Sequence, residues 1–201
     1  MPRDSNLLAP VASVGRAQYE NRHGHRGVAI LLTGLPAAGK STLAQALHAA
    51  LFERGARSLV LDGDALRVGL NRDLGFTDQD RQENIRRASE LAALLVANGQ
   101  IVILAMIAPL VELREGFARR LGEDYREVWC SAALDVCEQR DPKGHYARAR
   151  SGELPGFTGV SAPYEPPASA ALVLDTGVQS VDACLDRLLT WLGECAVLPE
   201  R

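Results

Sequence analysis

The 201-residue sequence predicts an α/β fold: a five-stranded parallel sheet flanked by helices, three layers in all. Three observations carry this. Short, continuous apolar runs recur along the chain, the pattern of strands covered on both faces. Stretches of helical period separate these runs, and strands alternating with helices argue for parallel pairing. A glycine-rich loop follows the first apolar run and opens the first clear helix. At 47% hydrophobic content the chain can bury one substantial core.

Residues 1–26 are mixed and polar and read as an N-terminal arm. His23 and His25 within it read as solvated, because a metal site needs more ligands at suitable spacing. The main domain is expected over 27–193, with a tail over 194–201. Val28–Thr33 is the first strand. Ser41–Glu53 follows as a helix, with Leu43, Leu47 and Leu51 on one face. Ser58–Leu61 is the second strand and runs into Asp62-Gly63-Asp64. A helix over about 80–98 leads to the third strand, Ile101–Ile107, and to Ala108-Pro109. A helix over about 110–121 precedes Glu127–Ala132, and Ala171–Leu174 is the fifth strand. Residues 141–168 break the rhythm with prolines, glycines and basic side chains; so long an irregular segment in a compact domain reads as a lid. Leu185, Leu188, Leu189 and Leu192 beside Trp191 predict a closing amphipathic helix.

The formal net charge is -3, a balance that does not suggest a nucleic-acid-binding protein. No apolar run reaches the ~18 residues of a membrane span, and the N-terminus lacks the apolar core of a signal peptide. Cys130, Cys137, Cys184 and Cys195 form no C-x-x-C pair and read as reduced thiols of a cytoplasmic protein.

Gly34-Leu35-Pro36-Ala37-Ala38-Gly39-Lys40-Ser41 satisfies G-x-x-x-x-G-K-[ST], followed by Thr42. Backbone N–H groups of such a loop cradle phosphate oxygens, and the next helix presents its positive end to them. Lys40 is expected on the β- and γ-phosphates of ATP, with the Ser41 hydroxyl on Mg²⁺. The loop follows a strand and opens a helix, which is the context this P-loop motif requires.

Asp62 and Asp64 lie past the end of the second strand, where parallel sheets bind ligands. One carboxylate can hold Mg²⁺ through water, and the other can take the proton of an acceptor hydroxyl. Arg67, Arg81 and Arg87 carry forks suited to phosphate or sulfate, and Arg81, Asn84 and Arg87 share a helix face. Phe76 and Phe157 are two of four phenylalanines, both in loops. They either stack on a flat base or anchor their loops, and sequence alone leaves both open.

The stretches Gly34–Thr42, LDGDALRVGLNRDLGFTDQDRQENIRR, QRDPKGHYARARSGELPGFTG and APYEPP together resemble the adenylyl-sulfate kinase family. The resemblance runs from near Arg16 to about Thr176. It implies a nucleoside-monophosphate-kinase-like P-loop domain that moves the γ-phosphoryl of ATP to the 3′-hydroxyl of adenylyl sulfate. It implies that Asp62 and Asp64 serve Mg²⁺ and acceptor activation. It puts Asp64, Arg67, Phe76, Arg81, Asn84, Ile107 and Phe157 around the acceptor, Arg140 near the adenine of ATP, and Lys143 near the phosphates. Members are commonly dimers, and such kinases can be fused to, or assemble with, an ATP sulfurylase.

The chain departs from the family pattern at several positions. Met106 stands for an aromatic residue, Ala108 for a serine associated with phosphorylation, and Val111 for an arginine. Pro155 and Ser131 stand where a lysine and an aspartate are usual. The loop reads LPAAGK where LSGSGK is commoner. These departures leave open a kinase for another small nucleotide, such as a cytidine diphosphate derivative, and the association with an ATP sulfurylase leaves open an ATP-binding regulatory module without turnover.

Overall fold

The computed structural model describes residues 13–198, so the first residues of the expected arm and the last of the expected tail lie outside the described part. β1 (Val28–Thr33) is buried at every position and lies at the centre of the sheet. β2 (Ser58–Asp62), β3 (Ile101–Ala105), β4 (Tyr125–Ser131) and β5 (Leu172–Asp175) complete the order β2-β3-β1-β4-β5, every pair parallel. The five strands and their parallel pairing are therefore as the apolar runs predict.

Alternation along β1 divides two cores. Val28, Ile30 and Leu32 pack with Leu43, Leu47 and Leu51 of α2 (Lys40–Glu53) and with Leu188 and Leu192 of α8 (Val181–Glu194). Ala29 and Leu31 pack with Ile85, Ala88 and Ala92 of α4 (Asp78–Ala97) and with Leu113 and Phe117 of α5 (Val111–Leu121). Burying apolar side chains on both faces supplies the main driving force for this arrangement. α4 starts where it does because Thr77 and Asp80 form a reciprocal capping box.

Strand and helix ends shift by a residue or two from the sequence expectation, and three departures bear on the site and its surroundings. β3 stops at Ala105 rather than Ile107. The Ile107 carbonyl accepts from Thr33 Oγ1 at 2.6 Å, and Ala108 then turns the chain with φ 41°. The 141–168 segment is not all loop, since α7 (His145–Arg150) forms within it. The polar arm holds a further helix, α1 (Arg16–His23), with no buried residue. Polar ties dock α1: Arg16 forks onto Asp124 at 2.5 and 2.7 Å and donates to Gly27 O at 2.9 Å, while Glu20 accepts from Gly27 N at 2.8 Å.

His25 is not solvated. It is 6% exposed, and its Nε2 accepts from Arg57 N at 2.9 Å, so the ring proton sits on Nδ1. Burial holds its pKa below the ordinary histidine value. The folded state thus binds fewer protons here than the unfolded state. This contribution to stability is full above the unfolded pKa of about 6.5 and is lost as pH falls from there to the folded pKa. Denaturant melts of the native chain and of His25→Gln across pH 5–7.5 are expected to show a shallower pH slope in the variant. Equal slopes would remove His25 from the account.

Candidate active site

The phosphate loop follows β1 at the carboxyl edge of the sheet. Gly34 is required by space: a Cβ there would stand 2.5 Å from the Cys130 carbonyl oxygen. Gly39, the residue before α2, sits at φ 90°, a conformation glycine adopts without strain. The loop thereby directs the first turn of α2, with its unpaired N–H groups, over the sheet edge.

Lys40 is 8% exposed and its Nζ donates to Gly34 O at 2.9 Å and Leu35 O at 2.7 Å. Burial pushes its pKa down to about 8. An anion placed beside the ammonium would favour its charged form against that burial.

Ser41 Oγ donates to Asp62 Oδ2 at 2.6 Å, which joins the loop to the end of β2. Asp62 Oδ1 accepts from Asp64 N at 2.9 Å and so caps α3 (Gly63–Val68). The D-G-D stretch is therefore a strand end and helix cap, and it holds the Asp64 carboxylate out from the sheet edge. Asp64 Oδ2 pairs with Lys143 Nζ of the lid. Four predicted residues, Ser41, Asp62, Asp64 and Lys143, thus form one continuous series of contacts.

A second series joins residues expected around the acceptor. Arg67 Nη1 donates to Gly75 O at 2.5 Å, and its guanidinium lies 4.7 Å from the Phe76 ring centroid. Arg81 donates to Phe76 O at 3.0 Å and to Gly156 O of the lid at 2.7 Å. Phe157 meets the Tyr146 ring edge-on at 5.0 Å between centroids. Phe76 is 70% exposed, free to offer a ring face, whereas Phe157 also anchors its loop on the core. Asn84 is buried, and its Oδ1 accepts from Asn71 Nδ2 at 2.8 Å. Arg81, Asn84 and Arg87 all lie on α4 at a spacing of three, and Arg87 forks onto Asp73 and also bonds Glu83.

On the nucleotide side, Leu35, Pro36 and Ala37 are half-buried, Ala38 is buried, and Ser41 and Thr42 are exposed at the start of α2. Arg140, the last residue of α6 (Leu134–Arg140), donates to Thr176 O at 2.7 Å. Ile107 is half-buried and is fixed through its carbonyl by Thr33. Met106 is 5% exposed and packs below Gly63, so it forms part of the core under the carboxylate turn.

Sequence reading missed Arg114. At 3% exposure it donates to Ala108 O and Pro109 O at 2.9 and 3.2 Å, to Glu165 O at 2.8 Å, and pairs with Glu127 at 2.9 Å. It holds the wall that carries Ile107 against the Tyr164-Glu165 segment. Its place on an amphipathic helix reads as surface, and only the family's APYEPP stretch hints at the partner. A groove of about 560 Å³ lies beside the loop, lined by Trp129, Leu134, Val160 and Tyr164 among others. Leu35 alone of the predicted residues reaches it, so the charged crevice and this groove are separate features.

Comparison with known proteins places this geometry. The family model for adenylylsulphate kinase matches residues 26–175. The adenylyl-sulfate kinase of Prochlorococcus marinus is 48% identical over 191 residues, spanning 94% of this chain and 95% of its own. The probable adenylyl-sulfate kinase of Bacillus subtilis is 49% identical over 183 residues, 90% of this chain and 92% of its own. The Mycobacterium tuberculosis APS kinase, solved with AMPPNP and APS, superimposes with a TM-score of 0.80 at 42% identity. That match covers 84% of this chain and 99% of the solved one.

Proposed function

The chain belongs to the adenylylsulphate kinase family, and we infer from that membership that it transfers the γ-phosphoryl group of ATP to the 3′-hydroxyl of adenylyl sulfate. The products are ADP and 3′-phosphoadenylyl sulfate. The run of contacts from Ser41 through Asp62 and Asp64 to Lys143 supports this most directly, because it sets carboxylates and a lid cation beside the phosphate loop.

The loop N–H groups and Lys40 bind the β- and γ-phosphates and offset the charge that spreads over them. Arg67, Arg81, Asn84, Ile107, Phe76 and Phe157 hold the acceptor so that its 3′-oxygen lies in line with the γ-phosphorus. Asp64 takes the hydroxyl proton as the oxygen–phosphorus bond forms, and the bond to the β-phosphate oxygen breaks to release ADP. Arg140 packs by the adenine of ATP. The lid carrying Lys143 excludes water, which limits hydrolysis.

Ser41 Oγ and the Asp62 carboxylate are two adjoining hard oxygen donors, a set that fits Mg²⁺ held by one or two protein oxygens plus substrate phosphates. Bound there, the ion would supply positive charge to the transferring phosphates. No described helix is long and apolar enough to cross a membrane. We place the protein in the cytoplasm, where the unpaired Cys130, Cys137, Cys184 and Cys195 suit a reducing medium. We extend the family reading to a homodimer and to association with an ATP sulfurylase. Light scattering behind size exclusion tests the first against the 21.6 kDa chain, and co-elution tests the second.

An acceptor panel tests the reading. With Mg·ATP, adenylyl sulfate is expected to exceed a cytidine diphosphate derivative in kcat/KM by more than about 10⁴-fold, the discrimination open to a site that hydrogen-bonds its substrate. A second nucleotide that matches adenylyl sulfate would sink it.

A further inference from the structure

Two features of the phosphate loop are left unexplained by the roles above. Ala37 sits at φ 60°, in the left-handed region that a Cβ disfavours. Tyr146 of the lid helix is 2% exposed, and its hydroxyl donates to the Pro36 carbonyl at 3.0 Å. The two features share one peptide group. The Pro36–Ala37 peptide is planar and trans, so its C=O and its N–H point in opposite directions. A hydroxyl fixed on the carbonyl therefore fixes the direction of the Ala37 N–H.

Few other backbone donors are free beside it. Pro36 has no N–H to give. The Ala38 N–H is spent on Leu35 O at 3.1 Å. Among residues 36–38, Ala37 alone keeps a backbone donor that no described group accepts.

We propose that Tyr146 is a positioning residue for the phosphate loop: its hydroxyl holds the Pro36–Ala37 peptide in the orientation that gives the Ala37 N–H to a phosphate oxygen, against the left-handed strain at Ala37. The rest of the side chain is placed for this task. Asp141 accepts from the Tyr146 and Ala147 N–H groups at 3.1 Å each and so fixes the start of α7. The ring stands edge-on to Phe157. Through Tyr146 the lid touches the ATP loop and the acceptor-side aromatic with one side chain.

The proposal rests on the loop being the ATP site, and its test reads ATP binding directly, without any acceptor. Tyr146→Phe removes the hydroxyl and keeps the ring on Phe157. Calorimetric titration with a non-hydrolysable ATP analogue and Mg²⁺ is expected to show affinity about fivefold weaker than wild type, the factor one net hydrogen bond supports. Adding Ala37→Gly to Tyr146→Phe is expected to restore most of the loss, because glycine adopts the left-handed conformation without strain. A purely structural tyrosine would not be rescued by a change in the loop. Unchanged affinity in Tyr146→Phe, or a double variant no tighter than it, overturns the proposal while leaving the kinase reading in place. Wild type that fails to bind the analogue overturns both.

Discussion

Lys40→Met is expected to lower turnover about 10³-fold or more while leaving the fold intact. The expectation has two parts. Lys40 is the buried cation of the loop, and its loss removes charge stabilisation where the transferred phosphoryl group carries its negative charge. The fold survives because burial of that ammonium is itself unfavourable, as its pKa near 8 records. Methionine matches the stem and needs no hydrogen bonds, so thermal stability is expected to hold or rise. Lys40→Arg is not expected to rescue, since a planar fork does not fit between the carbonyls of Gly34 and Leu35. The depressed pKa has its own consequence. Above about pH 8 the free enzyme holds a neutral Lys40, so kcat/KM for ATP is expected to fall as pH rises through that value. Steady-state kinetics over pH 6.5–9.5 check this, and an unchanged rate in Lys40→Met would remove the loop from the chemistry.

Asp64→Asn is expected to cost about 10²–10⁴-fold in kcat, the range of a general base, with ATP affinity within about threefold of wild type. Asp62 rather than Asp64 bonds Ser41, so the two carboxylates separate in effect. Asp62→Asn disturbs the oxygen set proposed for Mg²⁺ and is expected to raise the Mg²⁺ requirement. Asp64→Asn leaves that set alone and removes the proton acceptor and the partner of Lys143. Rapid-quench kinetics with saturating Mg·ATP, beside a Mg²⁺ titration of each variant, distinguish the two. Equal Mg²⁺ dependence in both would merge roles that are kept apart here.

The central strand, the loop and α2 were legible because each follows a local rule: a continuous apolar run, a fixed glycine spacing, leucines every fourth residue. D-G-D was legible as chemistry only beside that loop; its structural form, a helix cap, needed the Asp62–Asp64 hydrogen bond. What escaped the sequence was long-range and polar. α1 has no apolar stripe and is held by Arg16 reaching Asp124, 108 positions away. Arg114 and His25 are buried polar groups whose burial depends on partners that periodicity cannot supply. α7 lies between glycines and prolines that signal a loop, and Asp141 at its start outweighs them. Arg87's spacing was legible, but its carboxylate partners Asp73 and Glu83 were not.

The residues expected to wall the acceptor illustrate a second limit. Met106, Ala108 and Val111 differ from the family pattern and suggest an altered wall. Met106 is core beneath Gly63, and Arg114, Glu165 and Thr33 hold the backbone of 107–111. The wall is thus built more from backbone fixed by distant side chains than from the side chains that differ.

The most direct test is to incubate the purified protein with Mg·ATP and adenylyl sulfate, follow ADP release, and identify the product by mass and by the position of its new phosphate. The account predicts ADP release that depends strongly on adenylyl sulfate, with one phosphate added at the 3′-oxygen. ADP release indifferent to adenylyl sulfate, or a phosphate at another oxygen, would contradict it.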